Sequence, residues 1–112
     1  MNIRFTDKKL EKLVNNFKLL QKAVGSICAK IIRRRLDDLD AANTLEDMRY
    51  LPGKCHELRE NRKGQLAIDV EQPDRLIFVP DHDPVPLTEN GALNWTAVNS
   101  IKIIEITNYH GK

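Results

Sequence analysis

His56, Tyr109 and His110, with Arg62, Lys63 and Arg75, are the side chains of this sequence best suited to moving protons and binding anions. His56 stands in "KCHEL", and Arg62 and Lys63 stand in the "RKG" that follows. Arg75 opens "RLIFVP", and Tyr109 and His110 close "IKIIEITNYH". Two imidazoles beside a group of cations suit the metal-free cleavage of RNA, in which a 2′-hydroxyl attacks its own phosphate. That reaction needs a base for the hydroxyl, an acid for the leaving 5′ oxygen and positive charge on the phosphorane. The same residues have an ordinary reading as well. A strand histidine is commonly a surface or hydrogen-bonded side chain, and "RENRK" is commonly a solvated hairpin tip. Spacing alone does not bring these residues together. They meet at one edge of a sheet only if the last strand pairs near the first two.

Other chemistries have less to work with. No pair among His56, His82 and His110 has a metal-motif spacing, and neither Cys28 nor Cys55 lies beside a second cysteine, so no metal site is expected. "DHD" at 81–83 offers ligand atoms, but an acidic turn ahead of Pro84 accounts for it equally well. There is no GxGxxG, Walker loop, G-x-S-x-G or H-E-x-x-H, so no cofactor is expected and zinc hydrolysis has no support. The cysteines read as two free thiols of a reducing cytosol.

The elements that must hold these side chains follow from the apolar periods. "NIRF" is a short strand. Thr6 offers an N-cap with Asp7 in the first turn, and Leu10, Leu13, Val14 and Phe17 form one helical stripe. Val24, Ile27, Cys28, Ile31, Ile32, Leu36 and Leu39 form a second, opposite a polar face with Lys30, Arg33, Arg34 and Arg35. A break at Asn15-Asn16 or at Gly25-Ser26 gives two helices packed as a hairpin. "TLEDM" is a short third helix with capping-box spacing at Thr44 and Asp47, ended by Pro52-Gly53. The period then becomes alternating. "KCHEL" is a strand, "RKG" a turn with Gly64 at positive φ, and "QLAIDV" a strand with Leu66, Ile68 and Val70 on one face and Gln65, Ala67 and Asp69 on the other. "EQPD" turns the chain into the more buried "RLIFVP", and "IKIIEIT" is the last strand. This is an α+β plan, a helical hairpin on one face of a small antiparallel sheet. The stretch 81–100 is a long connection, either functional or mobile by its length, with Trp95 pinning it by burial.

At 112 residues the chain has room for one domain, 1–112, and its 41% hydrophobic and 30% charged residues are those of a soluble globular protein. No apolar run approaches the roughly 20 residues of a membrane span. The charged "MNIRFTDKKLEKL" argues against export, so the expected location is cytoplasmic, with no membrane association. Residues 1–66 carry fifteen Lys and Arg against nine Asp and Glu, whereas 67–100 carry one against six. The basic first half fits a polyanionic partner, and solvated helix faces account for it as well.

The order and spacing of "LEDMRYLPGKCHELRENRKGQLAIDV", "RLIFVP" and "EITNYH" resemble the HigB-type toxins of the RelE/ParE superfamily, over nearly the whole chain. The resemblance implies a RelE-like fold and a bacterial type II toxin that cleaves messenger RNA in the translating ribosome. It also implies a helix-turn-helix antitoxin of the HigA type as partner. His56 matches the family's strand histidine, and Asn108, Tyr109 and His110 match its terminal Asp-Tyr-His. Arg62, Lys63 and Arg75 match basic residues that meet phosphates. On that basis His56 and His110 are the acid and base, Tyr109 positions substrate, and the cations hold the phosphate. Three departures stand out. Asn108 replaces an acid and is able only to orient a neighbour by hydrogen bonding. Leu66 replaces an aromatic residue, and 81–100 is longer than in compact members. The alternatives are a ParE-like toxin that binds a non-RNA target such as DNA gyrase, and a catalytically weak member acting only in the antitoxin–repressor complex.

Overall fold

Strand β1 (Asn2–Phe5) turns Ile3 and Phe5 toward the core, and the chain then enters its helices. The structure, a computed structural model, describes residues 1–107. Asn108, Tyr109 and His110 therefore lie outside the described residues.

The expected hairpin of two helices is built from three, because the chain breaks at both candidate sites. Helix α1 (Lys8–Asn15) is capped by Asp7 rather than Thr6. The Asp7 carboxylate accepts the Leu10 N–H at 2.8 Å, and its charge also suits the helix N-terminus. Asn16 then ends α1 and caps α2 (Phe17–Val24), its side-chain oxygen accepting Leu19 N–H at 3.2 Å. Gly25, at φ +92°, closes α2 and precedes α3 (Ser26–Ala41). An L residue there would be strained, which is why glycine makes this second corner. Helix α3 buries Cys28, Ala29, Ile32, Leu36 and Leu39, a single stripe at helical spacing.

"TLEDM" forms a 3₁₀ segment, Leu45–Tyr50, that buries Leu45 and Met48. Thr44 makes no side-chain cap bond. Asp47 accepts the N–H of Asn43, one residue before the N-cap, at 2.9 Å, so neither bond of the expected capping box forms.

The sheet runs in the order β1-β5-β4-β3-β2, built from β2 (His56–Glu57), β3 (Leu66–Asp69), β4 (Arg75–Pro80) and β5 (Ser100–Thr107). All pairs are antiparallel except β1 with β5, which is parallel. Leu66, Ile68, Leu76, Phe78, Ile101, Ile103 and Ile106 form one core with Val14, Leu20, Ile32, Leu36 and Leu39 of the helices. The α+β plan holds, with helices on one face and the other face left without them. Leu66 is fully buried in this core.

Strand β2 is shorter than "KCHEL". Lys54 takes φ +50°, so regular pairing starts only at His56. Gly64 adopts φ +93° in the following turn, as expected. The connection 81–100 is tied down at several points: Asp81 pairs with Arg4 at 2.7 Å, Leu87 bridges Leu93, and Trp95 is buried. Among the described residues no helix is long and apolar enough to cross a membrane.

Candidate active site

Strand pairing decides which side chains share a face. His56, Ala67, Ile77 and Glu105 stand opposite one another in a single row across β2, β3, β4 and β5. Directly paired residues project to the same side, so this row lies on the face away from the helices. The next row holds Asp69, Arg75 and Thr107. The last strand pairs with β4 and β1 rather than beside β2. His56 and Glu105 are thus three strand spacings apart, about 14 Å. The sequence reading of convergence at an edge gives way to a shared face.

A bulge sets the parity of that face. The register of β5 shifts between Ile77 and Phe78, which pair with Glu105 and Ile103 and leave Ile104 as the extra residue. Ile103 and Ile106 consequently both reach the core, while Glu105 and Thr107 join the His56 side. Thr107 fixes the end of the strand: its hydroxyl accepts the Arg75 N–H at 3.0 Å and donates to the Arg75 carbonyl at 3.3 Å. Asn108, Tyr109 and His110 follow in sequence.

The His56 ring is oriented by a backbone contact. Its Nδ1 lies 2.7 Å from the Lys54 carbonyl oxygen. A carbonyl only accepts, so Nδ1 carries a hydrogen, and Nε2 is the atom left to take or return a proton. The left-handed backbone at Lys54 brings that carbonyl into reach.

The expected cations divide between two places. Arg62 reaches across the face, with Nη1 donating to Gln65 Oε1 at 2.7 Å and forming an ion pair with Glu105 Oε1, also at 2.7 Å. Its side chain crosses the row of Ala67 and Ile77, which are almost wholly buried yet belong to no helix-side cluster. Arg75, on the same face, faces Asp69 at 3.6 Å, a loose pair that leaves half its surface exposed. Lys63 instead lines a cleft of about 770 Å³ between the β2–β3 hairpin and the connection 81–100. His56 stands at the boundary, on the face and on the rim of the cleft.

Trp95 forms the inner wall of that cleft. Its Nε1–H donates to Glu57 Oε2 at 3.0 Å, and the Arg49 guanidinium lies over its ring, 3.9 Å from the centroid. Arg49 is fixed in turn by Glu46 at 2.8 Å. Gln65, Glu105, Thr107 and this Arg49–Trp95 stack were not singled out from the sequence as site residues. Only the doubled Ile103-Ile104, which interrupts the alternation before Glu105, hinted at the bulge.

Neither cysteine is set up as a thiolate. Both are free thiols. Burial pushes Cys55, on the cleft wall, up to about 12, with Arg49 pulling the other way. Burial and the Asp74 carboxylate push Cys28 up to about 11. Both thiols stay protonated at neutral pH. Two residues of "DHD" are engaged: Asp81 holds Arg4, and His82 Nε2 accepts the Asn99 N–H at 3.2 Å.

The fold resembles a solved one. The structure of the YoeB dimer from Staphylococcus aureus matches 94% of this chain and 92% of that chain, with a TM-score of 0.54 and 22% sequence identity. That neighbour has the RelE/YoeB-type toxin fold, and at this identity the likeness establishes the fold of the chain. No protein-family model and no curated protein matches the sequence.

Proposed function

We propose that the chain is the toxin of a bacterial type II toxin–antitoxin pair, a HigB-type member of the RelE/ParE superfamily, and that it cleaves translated messenger RNA on the ribosome without a metal. The observation that carries this reading is the helix-free sheet face. On a RelE-like fold, it presents an imidazole with Nε2 available together with two arginines, Arg62 and Arg75. In this mechanism one of the paired histidines, His56 and His110, removes the 2′-hydroxyl proton. The oxygen attacks the adjacent phosphorus, and the other imidazole protonates the departing 5′ oxygen. The products are a 2′,3′-cyclic phosphate and a 5′-hydroxyl. Arg62 and Arg75 stabilise the charge that builds on the phosphorane, and Lys63 meets a neighbouring phosphate from the cleft. Tyr109 positions the substrate, and Asn108 orients a neighbour through its amide.

Arg62 is held by Glu105 until a phosphate competes for it, so the free protein keeps one of its anion-binding groups internally neutralised. The partners of this reading are a helix-turn-helix antitoxin of the HigA type, the ribosome and its bound message, in the cytoplasm. Expression without the antitoxin is expected to arrest growth, and His56→Ala or His110→Ala to relieve the arrest. Wild-type protein that leaves growth and ribosome-bound messages untouched would overturn the proposal.

A further inference from the structure

We infer that the cleft between the β2–β3 hairpin and the connection 81–100 is a nucleotide subsite, in which an unpaired RNA base stacks on the Arg49 guanidinium. The inference rests on the RNA-cleaving reading and adds to it where the neighbouring nucleotide is held. Arg49 is a built platform. Trp95 supports one face of its guanidinium at 3.9 Å, Glu46 pins its Nε at 2.8 Å, and about half of the side chain, 48%, remains exposed.

Unstacked bases are commonly received on aromatic rings or guanidinium planes, and a plane held from below loses little freedom on binding. Trp95 itself is buried, so the surface offered to a ligand is the guanidinium laid upon it. The charges around the cleft suit a phosphodiester. Arg59 and Lys63 are exposed on the wall, and Glu57, one of the two wall carboxylates, is engaged by the indole N–H. The apolar side chains Val85 and Leu87, 41% and 58% exposed, supply a wall for the other side of a base. His56 is on the rim, so a nucleotide seated here lies next to the phosphate on which His56 would act. The lengthened connection 81–100 thereby acquires a role, since it carries both Trp95 and the apolar wall.

Trp95 is the single tryptophan of the chain and reports directly on the stack. The test titrates the full chain with an uncleavable 2′-O-methyl tetraribonucleotide while following Trp95 emission, and in parallel measures cleavage of ribosome-bound message. The expected result is a saturable emission change. Arg49→Leu should weaken binding roughly tenfold, the scale of one stacked base. Arg49→Lys keeps the charge but not the plane and should also weaken it severalfold. Thermal melts of each variant exclude unfolding as the cause, and Lys63→Gln supplies a second variant that leaves the Arg49–Trp95 stack in place. It should reduce affinity and flatten the salt dependence, as loss of one phosphate contact does. Wild-type protein that cleaves message while Trp95 emission ignores RNA overturns the subsite and leaves the cleavage reading standing. Arg49→Lys or Arg49→Leu binding as tightly as wild type overturns it too. An emission response without cleavage supports the subsite and removes the cleavage reading alone.

Discussion

His56 differs from an ordinary strand histidine in what its ring touches. The Lys54 backbone carbonyl occupies Nδ1, and this local contact sets the tautomer. His56→Gln is expected to lower cleavage of ribosome-bound message by roughly 10²- to 10⁴-fold while leaving the melting temperature near wild type. Arg62 offers a sharper test of the phosphate assignment. Glu105→Gln removes the carboxylate that neutralises it, so RNA binding measured by filter retention should tighten severalfold; unchanged affinity would contradict a phosphate role for Arg62. Cys55 gives a pH signature. Its thiol, at about 12 in the fold against 9.0 unfolded, is favoured in the neutral form by folding. That contribution is complete below about pH 9 and is lost as pH rises toward 12, because the unfolded chain releases the proton first. Urea unfolding between pH 8 and about 11 should therefore show a steeper loss of stability for wild type than for Cys55→Ala.

At the scale of elements, the periods in the sequence revealed which segments are helix or strand, and composition revealed the corners. The alternation in "QLAIDV" correctly sorted its two faces, and Gly64 was legible as a turn glycine. What stayed hidden was pairing. Nothing in "IKIIEIT" states that its neighbour is β4, nor that Ile104 is inserted as a bulge, since both depend on the partner strand. Helix breaks were legible as alternatives, and both occur because Asn16 has a side-chain oxygen to cap with and Gly25 accepts a positive φ. Asn16→Ala should cost about 1 kcal/mol in urea unfolding. Gly53 anchors the approach to β2 more severely. Its carbonyl accepts the Asp69 N–H at 2.7 Å, its φ is +109°, and a Cβ there would lie 2.6 Å from Ile68 Cγ1 and 2.8 Å from Arg35 Nε. Gly53→Ala should destabilise by about 2–4 kcal/mol and, by shifting β2, lower cleavage as well.

Across the whole molecule, the helices bury one side of the sheet and leave the other to polar side chains from four strands. Convergence of Tyr109 and His110 on His56 depended on the last strand, and the fold places that strand between β1 and β4, away from β2. His56, Arg62 and Arg75 share the bare face; Lys63 was separated from them because the chain turns at Gly64 and sends it toward the cleft. The long connection 81–100 was legible as unusual through its length and Trp95, but its packing against Arg49 and Glu57 required the three-dimensional contact. The proposed function comes down to one reaction, attack of a 2′-hydroxyl on its own phosphate at this face. Mapping the ends of messages incubated with purified protein and translating ribosomes tests it most directly. The expected result is internal cuts bearing 5′-hydroxyl and 2′,3′-cyclic phosphate ends, lost with His56→Ala. Messages left whole, or cuts bearing 5′-phosphate ends, would contradict it.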